Sequence, residues 1–148
     1  MHENNKRHKK QIKHNGTKPT ICLNMIVKNE AHIIGETLAN VLKYIDYWVI
    51  SDTGSTDGTQ KIITDFFNKH NIPGELLHHK WRDFGHNRTL ALNGCYNKSD
   101  YVLIIDADDL IIGDIEFPEN MNADAYSLVY GNDFVYRRTQ LLKNRKLE

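Results

Sequence analysis

Short apolar runs alternate with segments of helical periodicity along most of the chain, and this alternation restricts the fold more than any other feature. The strand-like runs occupy 21–27, 47–51, 74–79, 101–105, 125–130 and 134–142. Between the first four, apolar side chains recur every three or four residues, as they do on one face of a helix. Strands separated by helices pair in parallel, because the crossover returns each strand in the same direction. The pattern therefore predicts an α/β fold with a mostly parallel, Rossmann-like sheet and flanking helices.

The helix and hairpin boundaries follow from turn and capping residues. Asn29 precedes the first helical pattern, and we expect its side chain to cap that helix. The second helix opens at 56–59, and the third covers about 84–97. The last two strand-like runs, joined around 131–133, predict an antiparallel hairpin that closes the sheet.

Length and composition favour one soluble domain. The 148 residues are 40% hydrophobic and 26% charged, which suits a single globular core. Because no apolar run is long enough to cross a bilayer and no signal peptide is apparent, we expect no membrane span and a cytoplasmic location. Cys22 and Cys95, the two cysteines, fit neither a disulfide framework nor a zinc site, so both are predicted to be core residues.

The net charge of zero conceals an asymmetry between the first residues and the rest. Residues 1–18 carry six of the 19 Lys and Arg residues but one of the 19 Asp and Glu residues. This segment has no periodicity, so we expect a disordered basic arm that aids solubility and binds no nucleic acid. The acidic domain, 19–148, needs a local positive charge to hold an anionic ligand, and a divalent cation would supply it.

Two of the most apolar strands end in an acidic residue. The run 47–51 leads into Asp52, and the run 101–105 leads into Asp106. In open α/β sheets, ligands bind in the crevice outside the carboxyl ends of the strands. We therefore expect both carboxylates to face one crevice, although about fifty residues separate them.

A cluster of carboxylates follows the second of these strands. Asp106, Asp108 and Asp109 fall within four residues, and their mutual repulsion calls for a compensating cation. Carboxylate oxygens suit Mn²⁺ or Mg²⁺, which also bind substrate phosphates. We expect this turn, including Ala107, to hold a divalent metal and the phosphates of a substrate; the alternative is an ordinary acidic surface turn.

The segment 52–59 combines a strand tip with turn and capping residues. Asp52 offers acceptor oxygens for a base imide or a ribose hydroxyl, so we predict that it contacts a ligand. For Ser55, Thr56 and Asp57 we favour a purely structural role in the turn that opens the next helix. A phosphate loop of the Walker type is excluded, because the lysine that precedes its hydroxyl residue is missing.

A second polar segment, 81–88, leads into the third helix. Asn87 and Arg88 are expected near the helix start, where backbone donors and a guanidinium can hold phosphate oxygens. The alternative for Arg88 is a surface ion pair with Asp83 or Glu75. No chemical role is assigned to the three nearby histidines, His78, His79 and His86.

These segments resemble motifs of the inverting glycosyltransferases of family 2, which have the GT-A fold. Four stretches in order carry the resemblance over about 20–145: 25–30 (MIVKNE), 51–59 (SDTGSTDGT), 84–88 (FGHNR) and 106–109 (DADD). The resemblance implies transfer of a sugar from a nucleoside diphosphate, with a uridine nucleotide as the usual donor. It also implies that Glu30 and Asp52 contact the nucleoside, Arg88 the diphosphate, Asp106 the ribose or metal waters, and Asp108 the metal.

The sequence departs from the family pattern at its end. A catalytic base usually follows the closing strands, together with the acceptor-binding half, whereas this sequence ends at Glu148. Two alternatives are open: the chain is a fragment of a longer transferase, or its acceptor half is short or absent, so that water could replace the acceptor and hydrolyse the donor. Whether oligomerisation completes the site is also open. Asp109 and Asp133 are candidate bases.

Two other functions are alternatives to the glycosyltransferase. One is a catalytically silent nucleotide-sugar-binding or interaction module, and the other, ranked lower, is a phosphatase of the haloacid-dehalogenase type.

Overall fold

A computed structural model describes residues 18–117, 120–130 and 136–144, and in these ranges six strands form one sheet. The strands are β1 (Ile21–Val27), β2 (Tyr47–Asp52), β3 (Gly74–His78), β4 (Tyr101–Ile104), β5 (Ala125–Tyr130) and β6 (Tyr136–Lys143). The helices are α1 (Ile34–Val41), which runs into a 3₁₀ turn (Leu42–Tyr44), α2 (Thr59–His70) and α3 (Phe84–Asn93). The predicted order of elements is confirmed. The predicted arm lies outside the described residues except for Lys18, as does the turn expected at 131–133.

The sheet order is β3-β2-β1-β4-β6-β5. The first four strands pair in parallel, and β6 pairs antiparallel with both β4 and β5. The predicted mostly parallel sheet with a closing antiparallel pair is therefore confirmed. Because β1 lies between β2 and β4, the carboxyl ends of these three strands meet at one edge of the sheet.

Each face of the sheet is covered by a different set of helices. One face of β1 presents Leu23, Met25 and Val27 to a core that contains residues of α1 and α2, such as Leu38 and Phe67. A smaller cluster forms on the α3 side, where four buried side chains pack together: Cys22, Val49, Cys95 and Val102. Burial on both faces explains why β1 and β4 read as nearly continuous apolar runs. Both cysteines are fully buried, as predicted.

Two helix boundaries differ from the prediction. Helix α1 begins at Ile34 with no side-chain cap, so the expected capping role of Asn29 was wrong. Asn29 instead adopts a left-handed φ of 54°, and its Oδ1 accepts a hydrogen bond from Thr56 N in the loop after β2. Helix α3 ends at Asn93, before the predicted residue 97, and Asn97 has a φ of 65°, which a right-handed helix cannot include.

The longest described helix, α2, has 12 residues, well short of the roughly 20 apolar residues that a membrane-spanning helix needs. None of the helices in the described ranges has both the length and the apolar character for such a span.

Candidate functional site

Asp52 and Asp106 lie on opposite sides of β1, at the same edge of the sheet. In the β1–β2 register Asp52 is beside Val27, and in the β1–β4 register Ile104 is beside Asn24. Asp106 therefore follows β4 at nearly the same level as Asp52. Two strand spacings separate the two chains at this level, which is about 10 Å. The sheet order therefore brings both acids to the same edge of the sheet, and their facing one crevice stays a prediction.

The Asp52 carboxylate is buried, with 2% of the residue exposed. Its Oδ2 accepts hydrogen bonds from Gly54 N and Ser55 N, both at 3.0 Å, and from Gln60 Nε2 at 3.1 Å. Burial raises the pKa of Asp52, but the hydrogen bonds from Ser55, Gly54 and Gln60 outweigh it and leave the pKa below its ordinary value. Asp52 Oδ1 is equally inaccessible, and no group in the described part of the chain bonds to it. The crevice therefore contains an ionised carboxylate with one unused acceptor.

Two hollows meet at Thr53, directly beside Asp52. One, of about 390 Å³, lies between the loop after β2 and the end of β3. It is lined by Asp52, Thr53, Gly54, Gln60, His78, His79 and Lys80. The other, of about 330 Å³, lies over the end of β1 and is lined by Ile26, Val27, Lys28, Glu30, Thr53 and Trp81. Thr53 is fixed between them, because both its N and its Oγ1 donate to Val27 O. Each hollow is within the size range of small-ligand pockets.

Hydrogen bonds tie the loop after β1 to the loop after β2. Asn29 N donates to Ser55 Oγ at 2.8 Å, and Ala31 N donates to Asp57 Oδ2 at 3.1 Å. Asp57 Oδ1 also accepts from Thr59 N, at the start of α2. Ser55 and Asp57 therefore organise the turn, which is the structural role that the sequence favoured for them. These ties fix the backbone around Glu30, whose side chain lines the second hollow.

The acidic turn after β4 brings together the three predicted carboxylates. One oxygen of each of Asp106, Asp108 and Asp109 lies within 4.8 Å of the others. Asp109 Oδ2 accepts from Asp106 N, and Asp109 N donates to Asp106 O, both at 3.0 Å, so the turn is closed on itself. Ala107 is buried, and its carbonyl accepts a hydrogen bond from Thr37 Oγ1. Asp108 is the exposed member of the cluster, so its carboxylate is the most accessible to a cation.

Arg88 points across β1 towards this turn. Its Nη2 lies 3.8 Å from Asp106 Oδ1, and its Nη1 donates to Asn24 Oδ1 at 3.3 Å. Its guanidinium also lies 5.6 Å from the centre of the Phe84 ring. The Arg88 side chain is 15% exposed, and its ion pair with Asp106 is partly shielded from solvent. The expected alternative, a surface pair with Asp83 or Glu75, is not among the ion pairs of the described residues.

Asn24 is a site residue that the sequence reasoning missed. It is fully buried in β1, and its Nδ2 donates to Val49 O at 3.0 Å and to Ala91 O at 2.9 Å. One side chain thus joins β1 to β2 and α3 while its Oδ1 orients Arg88. The available signal was that Asn24 is the single polar residue in the strand 21–27.

The remaining predicted residues have different surroundings. Asn87 is fully buried, and its side-chain amide bonds to the loop before α3 instead of opening into either hollow: Oδ1 accepts from Arg82 N and Nδ2 donates to Lys80 O. Asp83 caps α3 by accepting from His86 N at 2.8 Å. Asp133, one of the two candidate bases, lies outside the described residues.

Residues 22–140 match the model of the family described as glycosyl transferase family 2. The chain belongs to that family. A stretch of 93 residues of this family 2 domain, 62% of the chain, is 36% identical to a TPR repeat-containing protein of Synechococcus elongatus and covers 21% of it. The recognition made from the four motifs is therefore confirmed.

Solved structures agree with the family assignment. The domain is similar to the mannosyltransferase PcManGT of Pyrobaculum calidifontis in complex with GDP-Man and Mn²⁺, at 28% identity and a TM-score of 0.55, over 62% of this chain and 28% of that chain. It also has the fold of S. aureus TarS 1–349, at 23% identity and a TM-score of 0.52, over 62% and 28% of the two chains. The fold is thus of the GT-A type, and this family 2 domain spans less than a third of each of these proteins.

Proposed function

We propose that this domain binds a nucleoside diphosphate sugar with a divalent cation and takes part in transferring the sugar to an acceptor hydroxyl, with inversion at the anomeric carbon. The observation that carries the proposal is the pair of acidic sites on either side of β1, the Asp52 carboxylate with its unused oxygen and the turn of Asp106, Asp108 and Asp109. Family membership and the similarity to PcManGT, which was solved with GDP-Man and Mn²⁺, support it.

The Asp52 side is proposed to hold the nucleoside. An ionised carboxylate can only accept hydrogen bonds, and Asp52 lines the first hollow, so it suits a base that presents a ring N–H. Uracil and guanine have such a donor, whereas the corresponding ring nitrogen of cytosine has none. We expect uridine, as in the family resemblance, which makes a UDP-sugar the proposed donor. Glu30, on the wall of the second hollow, is proposed as a further contact to the nucleoside.

The acidic turn is proposed to hold the cation and the diphosphate. Three carboxylates in close proximity form a donor set that suits Mn²⁺ or Mg²⁺, with Asp108 as the direct ligand and Asp106 as a second ligand or a contact to metal waters. A bound cation would neutralise charge on the leaving diphosphate. Arg88, which pairs with Asp106 in this turn, would stabilise the same charge. Ala107 and Asn87 are proposed to contribute by fixing the backbone beside the donor.

The acceptor side of the site is proposed to supply the general base. Asp109 and Asp133 are the candidate bases that would take the proton from the attacking hydroxyl. Where no acceptor is positioned, water would take its place and the observable reaction would be hydrolysis of the donor. A cytoplasmic location and the participation of a second subunit also remain predictions.

A ligand panel tests the proposal. UDP-, GDP- and CDP-sugars would be titrated with and without Mn²⁺ while thermal unfolding is followed. A ligand at a hundred times its dissociation constant stabilises the folded state by about 2.7 kcal/mol. We expect stabilisation by UDP-sugars that requires Mn²⁺, and weaker stabilisation by CDP-sugars, which keep the diphosphate but lack the ring N–H. Stabilisation by GDP-sugars alone would change the base assignment, and no stabilisation at all would favour an interaction module. Release of free sugar and nucleoside diphosphate would separate an enzyme from a silent binding module.

A further inference from the structure

Trp81 is one of the large hydrophobic residues that the fold leaves exposed. The residue is 47% exposed, and none of the ring contacts or side-chain hydrogen bonds of the described residues involves its indole. Trp48, the other tryptophan, has the opposite character. It is 5% exposed, its ring stacks on Phe67 at 4.5 Å, and its Nε1 donates to Ile72 O. Packing of the fold therefore accounts for Trp48 but leaves the indole of Trp81 unexplained.

Trp81 forms part of the wall of the hollow over the end of β1, together with Glu30 and Thr53. Thr53 also belongs to the neighbouring hollow that Asp52 lines, so Trp81 and Asp52 line two adjacent hollows. A nucleobase is flat, with two apolar faces and a polar edge. A binding site for a base needs an aromatic or apolar surface for the face and acceptors or donors for the edge, and this region offers both.

The backbone on both sides of Trp81 is held by one buried side chain. Asn87 Nδ2 donates to Lys80 O at 3.1 Å, and Asn87 Oδ1 accepts from Arg82 N at 2.8 Å. Trp81 is the residue between these two contacts. Fixing the loop before a ligand arrives lowers the entropy that binding must lose, so a tryptophan held in this way is suited to recognition.

We infer that the indole of Trp81 is the surface on which the nucleobase stacks, and that Asn87 is the positioning residue that holds it there. The inference rests on the proposed function and adds the base-stacking residue to it. The competing role, stacking of an acceptor sugar, is less favoured because the hollow of Trp81 adjoins the hollow lined by Asp52, which is proposed to hold the nucleoside, and not the acidic turn proposed to hold the diphosphate.

Calorimetric titration of the full chain with UDP and with pyrophosphate, each with Mn²⁺, tests the stacking. Stacking of one base on an aromatic side chain corresponds to roughly a five- to hundredfold change in affinity. We expect Trp81→Ala to weaken UDP by that factor and to leave pyrophosphate unchanged, whereas Trp81→Phe keeps UDP within a few-fold. Tyr96→Ala is the matched control, since Tyr96 is 43% exposed and lines neither hollow.

Tryptophan fluorescence gives an independent measurement. Trp48 is buried at the start of β2, away from the crevice, so its fluorescence should not respond to UDP. A change in tryptophan fluorescence on adding UDP would therefore come from Trp81. Trp81→Phe should abolish that change in fluorescence while the affinity for UDP is retained.

A second experiment tests the positioning role of Asn87. Asn87→Ala should weaken UDP binding in the wild type but cause no further loss in the Trp81→Ala background, as expected for a residue that acts through Trp81. If Asn87→Ala does not fold, Asn87→Asp retains the acceptor for Arg82 N and loses the donor to Lys80 O.

The outcomes distinguish the inference from the proposed function. If the wild type binds UDP and Trp81→Ala binds it equally well, the inference is wrong and the proposed function stands. Equal weakening of UDP and pyrophosphate by Trp81→Ala would also overturn the inference, because a stacking residue affects only the ligand with a base. If the wild type binds no nucleotide, both fail.

Discussion

Asn24 Oδ1 accepts a hydrogen bond of 3.3 Å from Arg88 Nη1, which links the middle of the central strand to the cationic side of the crevice. Arg88 approaches Asp106 with its other terminal nitrogen, at 3.8 Å. The same Asn24 side chain bonds to the backbone of β2 and α3. The direction of Arg88 is therefore set by a residue whose other contacts hold the sheet and helix together, so fold and site share one polar group.

Asn24→Ala should lower both stability and affinity. The change removes the donor to Val49 O and Ala91 O in a fully buried position, which we expect to cost about 1–3 kcal/mol of unfolding free energy. Arg88 also loses the acceptor that orients it, so UDP binding should weaken. Urea unfolding and calorimetry measure the two effects. Asn68→Ala, on the exposed side of α2, is the control and should change stability by less than about 0.5 kcal/mol. Unchanged stability of Asn24→Ala would contradict the prediction.

The strands and the acidic positions at their ends could be predicted from the sequence, because period, length and strand-end position are local properties. Asp52 and Asp106 needed only the parallel topology to be brought to one edge. Asn24 was missed for a physical reason: a single amide in an apolar strand does not reveal which backbone groups it will meet across the sheet. The same limit applies to Asn87, whose partners lie five and seven residues away in an irregular loop.

The capping prediction for Asn29 failed because two different structural roles favour asparagine. Asparagine caps helices, and it also tolerates the left-handed backbone conformation. At Asn29 the second property decides the structure, since the φ of 54° turns the chain towards the loop after β2. That choice depends on a contact between loops some 27 residues apart, which a local pattern cannot show.

Substitutions at Asn29 separate its backbone role from its side-chain role. Asn29→Gly keeps the left-handed conformation and loses only the acceptor for Thr56 N, whereas Asn29→Ala loses both. We expect Asn29→Ala to be less stable than Asn29→Gly by about 1 kcal/mol, measured by urea unfolding. Asn71 has a similar φ of 56° at the end of α2 and provides the control. The Ala and Gly variants at Asn71 should repeat this stability difference without affecting UDP binding; equal stability of the two Asn29 variants would contradict the prediction.

Asp108→Ala should abolish nucleotide binding that depends on metal while the fold is retained. Asp108 is the exposed member of the acidic turn, and none of the side-chain hydrogen bonds of the described residues involves it. We expect Mn²⁺ affinity to fall by more than the roughly 10- to 100-fold that loss of an outer-sphere partner costs. Calorimetry with Mn²⁺ and UDP measures the loss. Asp114→Ala, which removes an exposed aspartate paired with Lys43 outside the cluster, is the control and should bind normally. Unchanged Mn²⁺ and UDP affinity in Asp108→Ala would refute the metal assignment.

The lowered pKa of Asp52 predicts a pH-dependent contribution to stability. Burial alone would raise this pKa, but the hydrogen bonds from Ser55, Gly54 and Gln60 bring it below the ordinary value of 3.8. The ionised side chain therefore stabilises the folded state above the unfolded-state pKa, and this contribution is lost as the pH falls through the folded-state pKa. The difference in unfolding free energy between wild type and Asp52→Asn should be constant near neutral pH and should change in favour of the variant towards about pH 2. A difference that stays constant over this range would contradict the assignment.

The general base is predicted to be Asp109 or Asp133, and substitution to asparagine distinguishes them. In Asp109→Asn the side-chain oxygen can still accept the hydrogen bond from Asp106 N, so the acidic turn should keep its shape. The variant that lacks the base should bind the donor nearly as well as wild type but turn it over roughly 10²- to 10⁴-fold more slowly, because no group takes the proton from the attacking hydroxyl or water. Release of nucleoside diphosphate from a UDP-sugar measures turnover, with Asp114→Asn as the control. If both variants retain full turnover, neither residue is the base; if Asp109→Asn loses Mn²⁺ binding as well, Asp109 is a metal ligand and not the base.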